Sequence, residues 1–404
     1  MARKNDIPAF GLLNGLKVVH ASTVVAGPIA AELMAELGAD VIWIESTLAP
    51  DTNRGKGGMG AESERRNMRN ISFNIPSPEG KQIFQALLKD AEIFIESSKG
   101  GQYDKWGLSD EVMWSWNPRL VIAHLSGYGQ AGLPEFVSRG SYDPVTQAFS
   151  CLMSLNGFAD RSAVAAREIP TDYLAGLTTF GTCLAAVMKA RETGVGESLD
   201  VAQYEIGIRY QNQRPMDWLV RGVPSPRVGN HNDVTAGWGA FTCKDGVDVY
   251  LMFLGPTVMK NGLPLFGWEF GSELFPTTQN FAPLASKGGQ MLEKAITNYC
   301  SQHTAVEVEK TLCDLGVPCS RIMDYSMAAE HPHYKARETF TEWDAVDGRR
   351  LKGVNIVPKL KKHPGRIWRG CPTIGMDSED ILLDHGFSKE QIGDFYAKKV
   401  VRTE

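Results

Sequence analysis

No Cys-x-x-Cys pair occurs in this sequence, and its seven cysteines are scattered and odd in number. That excludes a zinc ribbon or a disulfide scaffold and fits reduced thiols, so the expected location is cytoplasmic. The eight histidines show no His-Glu-x-x-His spacing, and no metal is expected. No uninterrupted apolar stretch approaches the roughly 18 to 20 residues that span a bilayer, so no membrane segment is expected. The start, Met1 to Asp6, carries charge without an apolar core behind it, which argues against a secretory signal. An excess of basic residues is missing too: 42 Lys and Arg stand against 47 Asp and Glu, a formal net charge of -5. Such a chain is not built to coat nucleic acid, although local basic pockets for small anions remain open to it. There is no internal repeat and no low-complexity tract.

The 404 residues are an ordinary globular mixture, 43% apolar and 22% charged. At roughly 150 residues per domain, the length predicts two or three domains. The first half alternates strand and helix signals. Apolar runs at 16–20, 41–44, 92–95, 120–125 and 198–202 read as strands. Helical segments lie between them: 28–37, with Pro28 in its first turn and Gly38 beyond its end; 77–89, opened by Ser77-Pro78-Glu79; and 110–116. Strands separated by single helices imply right-handed parallel crossovers, so the predicted fold class is α/β with an open parallel sheet. A longer helix is predicted over 173–190, where large apolar residues recur at 174, 177, 180, 184, 187 and 188. Ala175, Gly176, Gly181, Ala185 and Ala186 fill its other faces, so another element must approach closely.

Val223-Pro224-Ser225-Pro226-Arg227 reads as a linker, after which the texture changes. The segment 238–253 reads as a hairpin around Asp245-Gly246, and helices follow near 289–300 and 305–315. Residues 225–328 are therefore expected to form a second, smaller α+β domain, with 1–224 before it and 329–404 after it. The tail holds another Asp-Gly turn at Asp347-Gly348 and an amphipathic helix over 389–398.

Several residues invite a chemical reading. Two Gly-x-Gly-x-x-Gly matches occur. The one from Gly127 to Gly132 follows a strand, but Leu133-Pro134 stands where a helix should begin, so a turn or a loop against a ligand fits better than a pyrophosphate fingerprint. The one from Gly55 to Gly60 has no strand before it and reads as a flexible basic loop. Arg54, Lys56, Arg65, Arg66, Arg69, Lys99 and Lys105 crowd one stretch, which can hold phosphates or form a solvated face. Lys99 stands out because it follows a strand, at the carboxyl edge of an open sheet where ligands bind. Asp172 directly precedes the long helix. Asp is a favoured N-cap there, worth about 1 kcal/mol. The same position favours an ionised carboxylate, which can act as a nucleophile beside N–H groups able to hold an oxyanion. Trp43, Tyr128, Tyr142, Trp218 and Trp238 can cage a quaternary ammonium or simply pack as core.

An ordered set of segments spans nearly the whole chain. It runs from Leu16-Lys17-Val18-Val19, Ala26-Gly27-Pro28 and Gly38-Ala39-Asp40-Val41-Ile42-Trp43-Ile44-Glu45 through Arg66-Asn67 and Pro78-Glu79-Gly80. It continues with Asn117-Pro118-Arg119-Leu120-Val121-Ile122, Ser126-Gly127-Tyr128-Gly129-Gln130, Thr171-Asp172-Tyr173 and Glu192-Thr193-Gly194-Val195-Gly196-Glu197-Ser198. In this order the set resembles the class III (family III) CoA-transferases, of the formyl-CoA transferase type. Within that family, Val41 to Glu45, Ile93 to Gly100, Ile122 to Gly127, Gly365 to Gly370 and Gly375 to Asp377 are similar to the branch that exchanges CoA among crotonobetaine, L-carnitine and γ-butyrobetaine.

The resemblance implies an interlocked homodimer. Each subunit would have a large Rossmann-like domain built from both chain ends and a smaller central domain. It implies coenzyme A, carried as acyl-CoA, and a betaine-type carboxylate as substrates, with no metal, nucleic acid or membrane involved. Asp172 matches the family's catalytic aspartate. Lys99 matches a CoA-contacting lysine, and Lys105 falls where the family often has a CoA-contacting arginine. Ala26, Ser97, Ser98, Gly127 and Tyr128 fall on segments that touch CoA. Two departures stand out: Ser46 lies where some relatives place an arginine on CoA, and Leu254-Gly255-Pro256 is all that stands in place of a glycine-rich lid. The α-methylacyl-CoA racemases share the fold and need a histidine in a Gly-His-Asp motif. Here that stretch is Gly140-Ser141-Tyr142-Asp143, with Tyr142 at the histidine position, which argues against proton removal at carbon. The alternatives are another acceptor on the same fold (formate or oxalate, a dicarboxylate, a bile acid) or a CoA-binding relative without turnover.

Overall fold

The structure, a computed structural model, describes residues 7–55 and 59–402. Lys56, Gly57 and Gly58, part of the second glycine-rich match, lie outside the described residues, as do Met1 to Asp6. The chain divides into two compact units. The larger comprises Met1–Met153, Ala165–Arg221 and Glu338–Glu404, and the smaller comprises Ser154–Val164 and Gly222–Arg337. The smaller unit is thus wider than 225–328: it takes in a short early excursion and runs on to Arg337.

The larger unit is built on a seven-stranded sheet of β1 (Lys17–His20), β2 (Asp40–Glu45), β3 (Arg69–Phe73), β4 (Ile93–Glu96), β5 (Val121–Ser126), β6 (Glu197–Ala202) and a C-terminal strand, Val401–Arg402. The C-terminal strand pairs antiparallel with β3, and the other pairings are parallel, in the order β3-β2-β1-β4-β5-β6. The inner strands are apolar on both faces because both are covered. Val18, Ile93, Ile95, Val121, Ala123 and Leu125 pack with the helices Ala26–Glu36 and Pro170–Thr193. Val19, Phe94 and Ile122 pack with Ile83, Phe84, Leu87 and Leu88 of the helix Pro78–Asp90 on the other face.

Strand β3 escapes a hydropathy reading, since three of its five residues are polar, yet all five are buried. Arg69 is neutralised by Asp40 at 2.8 Å and Asp384 at 3.1 Å, and Asn70 Nδ2 donates to Glu45. The long helix runs Pro170–Thr193, three residues longer at each end than the apolar period alone predicts. A side chain at Gly176 would sit 2.8 Å from the carbonyl oxygen of Ala26, so glycine is what lets the two helices touch. By length and composition alone this helix is long and apolar enough to cross a bilayer. Its small polar and glycine positions hid it from a search for unbroken apolar runs. In the fold, Ala175, Gly176, Cys183, Val187 and Ala190 are buried inside the protein.

The smaller unit has an antiparallel sheet of β7 (Trp238–Thr242), β8 (Asp248–Met252) and β9 (Cys319–Arg321), with β7 and β8 joined through the Asp245-Gly246 turn. The helices Lys287–Gln302 and Ala305–Asp314 supply Leu292, Ile296, Val308 and Leu312 to its core.

Candidate active site

In a doubly wound sheet, ligands bind outside the carboxyl ends of the strands, where the strand order reverses. Here that point lies between β1 and β4, since the chain winds outward from β1 to β3 and then returns to β4 on the other side. A cavity of about 340 Å³ opens there. Ala21 and Thr23 follow β1, Ser97, Ser98 and Lys99 follow β4, and Leu125, Ser126 and Gly127 end β5; all line it. Val24, Val25 and Ala26 join them from the start of the helix Ala26–Glu36. Arg139, Gly140, Ser141, Tyr142, Asp172 and Gln203 also line it. A side chain at Gly127 would lie 2.2 Å from Ser141 Cβ, so the glycine allows the two loops to meet.

Asp172 is not the N-cap. The cap position is Ile169, in a left-handed conformation at φ 45°, and Asp172 sits inside the first turn. The capping acceptor comes instead from another helix, Asp143–Phe149. Asp143 Oδ2 accepts from Thr171 N at 2.7 Å, Thr171 Oγ1 at 2.6 Å and Asp172 N at 3.2 Å. This satisfies N–H groups that a helix start leaves open and brings a second carboxylate up to Asp172. The helix-end argument for an ionised Asp172 is therefore overturned. Burial, followed by the charge of Asp143, pushes its pKa up to about 7, partly offset by a hydrogen bond from Gln203. Gln203 Nε2 donates to Asp172 Oδ1, and Oδ2 has no partner among the described residues. The cavity thus holds a 7%-exposed carboxylate poised to ionise near neutrality.

The structure sorts the remaining sequence candidates. Ala26, Ser97, Ser98, Lys99 and Gly127 meet Asp172 around one cavity. Lys99 is exposed and makes no ion pair among the described residues, which leaves its charge available to an anion. Lys105 does not line the cavity; it lies exposed on the short helix Gln102–Lys105. Tyr128 does not line it either, because its ring packs among Phe136, Phe149 and Tyr204. The loop after Gly127 is a turn rather than a fingerprint, with Gln130 N donating to both oxygens of Asp200.

The four arginines of the basic stretch, Arg54, Arg65, Arg66 and Arg69, form neither a phosphate site nor a solvated face, because each is paired with acids. Arg54 pairs with Glu45 at 2.9 Å, Arg65 with Asp51 at 2.5 Å, and Arg66 with Glu32 and Glu36. Trp43 is no cage residue, since it is fully buried, stacked on His20 and covered by Arg54 and Arg65. Of the aromatics considered, Tyr142 alone lines the cavity, and no histidine does among the described residues.

Sequence reasoning missed Gln203, Arg139 and the role of Asp143. Gln203 follows β6 directly, so the carboxyl-edge rule that singles out Lys99 also points to it. Arg139 carries no comparable signal. It lies in a loop and stacks on Phe136 at 4.0 Å.

Comparison with known proteins agrees with this geometry. A bile acid CoA-transferase, BaiK, from Clostridium scindens is 40% identical over 394 residues, which is 97% of this chain and 90% of that relative. A CAIB/BAIF family protein from Brucella suis shares the fold with a TM-score of 0.78 at 23% identity, covering 93% of this chain and all of that one. A Mycobacterium tuberculosis protein, Rv3272, does so with a TM-score of 0.76 at 21% identity, covering 92% of this chain and 98% of the other. The family model for CoA-transferase family III matches residues 13–378. The chain belongs to CoA-transferase family III and is a transferase.

Proposed function

We propose that this protein moves coenzyme A from an acyl-CoA to a free carboxylic acid through a thioester formed on Asp172. One observation carries the reading: a buried carboxylate with a free oxygen lies in the cavity that also presents Lys99. Asp172 Oδ2 attacks the donor thioester carbon, the C–S bond breaks, and a mixed anhydride and CoA thiolate result. The thiolate then attacks the Asp172 acyl carbon and releases the donor acid, leaving aspartyl-CoA. The acceptor carboxylate repeats the sequence in reverse and departs as the new acyl-CoA. Thiolate leaves without a proton, so no histidine is required, in keeping with the cavity lining. Gln203 orients the nucleophile. The first turn of the helix Ala26–Glu36, whose own hydrogen bonds begin with Ile29 N to Val25 O at 2.9 Å, offers N–H groups to the oxyanion. Lys99 and Arg139 suit the anionic parts of CoA.

The acceptor reading follows from charge. A trimethylammonium group needs aromatic faces or a carboxylate and little positive charge nearby. The described cavity offers two cations and one aromatic, Tyr142, which favours an acid without a quaternary nitrogen. The kinship with a bile acid CoA-transferase supports a bile acid, and the likeness to the carnitine branch supports the betaine acid as the second reading. The exposed apolar residues Leu177, Met188, Trp218, Leu219 and Val220 of the larger unit support an interlocked homodimer that covers them.

The test is intact-mass and peptide mass spectrometry after mixing with an acyl-CoA. A hydroxylamine-labile CoA adduct on the peptide holding Asp172 is expected, and an adduct elsewhere or none sinks the proposal. Offering cholate, L-carnitine and a dicarboxylate together, and reading which acquires CoA, separates the acceptors.

A further inference from the structure

One cavity wall is held in an unfavourable backbone shape by residues that never reach the cavity. Val24 lines the cavity at φ 64°, in the left-handed region that a β-branched residue avoids. Both polar groups of Val24 are gripped from behind. Its N–H donates to Asp51 Oδ2 at 3.1 Å, and its carbonyl accepts from Arg65 Nη2 at 2.8 Å and Asn53 Nδ2 at 3.1 Å. Asp51 Oδ2 also pairs with Arg65 Nη2 at 2.5 Å, and Asp51 Oδ1 accepts from Asn53 N at 2.8 Å. The clamp is anchored to the sheet, since Asp51 N donates at 2.9 Å to Glu45 at the end of β2. Arg65 and Asp51 are fully buried side chains, and the Arg65 guanidinium lies 4.9 Å from the Trp43 ring.

Burying an ion pair is a poor way to gain stability, because desolvation offsets the attraction and an apolar pair of similar size often does as well. The stable feature that this pair does provide is the Val24 peptide, whose two polar groups it satisfies. We infer that Asp51 and Arg65, helped by Asn53, are positioning residues that hold Val24 in its left-handed shape. They thereby fix the Thr23–Ala26 part of the lining of the cavity that holds Asp172. The inference rests on the transferase reading above. Small displacements at a reacting centre cost on the order of 10²-fold in rate, and the clamp acts on that scale.

The test replaces both partners, so that neither is left as an unpaired buried charge; Glu64, which Arg65 Nη1 meets at 3.3 Å, keeps its hydrogen bond from Asn53 Nδ2. Asp51→Leu with Arg65→Met is expected to fold and to lose about 10²-fold in kcat/KM. Adding Val24→Gly is expected to recover at least about 10-fold, because glycine adopts positive φ without penalty. A merely structural network would show no such rescue, since the added glycine only loosens the unfolded chain. Full activity in the double variant, or loss without recovery, overturns the inference. Should the double variant fail to fold, Asn53→Ala with and without Val24→Gly applies the same criterion. Amide exchange at Val24, read without substrate, separates the clamp from the functional reading. Exchange at least about 10-fold faster in the clamp variants is expected, and unchanged exchange refutes the clamp even if the wild type proves to transfer CoA to no acid.

Discussion

Asp172 and His124 are both buried titratable groups of the larger unit near the carboxyl end of its sheet, and their surroundings differ in one respect. His124 Nδ1 meets Glu96 at 2.7 Å and its Nε2 meets Asp110 at 3.0 Å, so one ring serves two carboxylates. Burial opposes the charged ring, but the hydrogen bonds with Asp110 and Glu96 outweigh it, and the pKa is pushed up to about 10. Asp172 has the reverse setting: the charge that shifts it is another carboxylate, Asp143, and among the described residues its carboxylate accepts one hydrogen bond, from a neutral amide. Each ring nitrogen of the imidazolium is matched by a carboxylate. The carboxylate is left half-satisfied beside an open cavity, and a half-satisfied group is one that can react.

The sharpest way to break this contrast is Asp172→Asn. Transfer should fall by at least about 10⁴-fold, as when a nucleophile is removed, with loss of the CoA adduct in mass spectra. Stability should move the other way. Because folding raises this pKa from its usual value to about 7, the native state holds a proton that the unfolded chain gives up. Wild-type stability therefore drains away as pH rises from about 4 to 7. The Asn variant lacks that loss, so it should melt higher than the wild type at pH 8 and closer to it at pH 4. A variant that melts lower at pH 8 would show that Asp172 is not under electrostatic stress.

Gln203→Leu probes the same site more gently. Gln203 supplies the hydrogen bond that favours the ionised form of Asp172. A hydrogen bond to a charged group contributes roughly 1.5 to 3 kcal/mol, so the rate at pH 7 should drop by about 10-fold or more. The rising limb of the pH–rate profile should shift to higher pH, and the deficit should shrink above pH 8. A uniform loss at every pH would instead mean that Gln203 acts by shape alone.

What the sequence discloses and hides follows the same division. The apolar strands and the helices between them are legible because hydrophobic periodicity marks them, and Lys99 is legible from its place after β4. Asp172 is legible as a residue, but not its state. The proton affinity depends on Asp143, which is 29 positions away and reaches Asp172 by capping its helix. β3 is hidden for a related reason, since Arg69 and Asn70 look solvent-facing until Asp40, Asp384 and Glu45 arrive to satisfy them. Arg65 and Arg66 mislead in the same way, because charge counted along the chain says nothing about which acids fold over it.

Lys99→Ala should act on binding more than on chemistry. An exposed cation facing an anionic ligand raises affinity modestly, so KM for acyl-CoA should rise by about 10-fold with kcat little changed. The effect should fade in high salt. A fall in kcat with unchanged KM would place Lys99 in the reacting centre instead.

His124→Gln should have the smallest effect on transfer, within about twofold, because its ring lies outside the cavity lining. It should still cost stability, about 2 to 3 kcal/mol, by leaving Glu96 and Asp110 without their shared cation. The sign with pH is fixed by the raised pKa. The folded ring keeps its proton up to about 10, whereas the unfolded ring releases it near 6.5, so the stabilisation is complete below pH 6.5 and lost as pH rises towards 10. Melting curves of wild type and variant should therefore lie furthest apart at pH 6 and converge towards pH 10. If the gap instead widened with pH, or if transfer collapsed with His124→Gln at full foldedness, the matched site would be part of the machinery, and the contrast with Asp172 would fail.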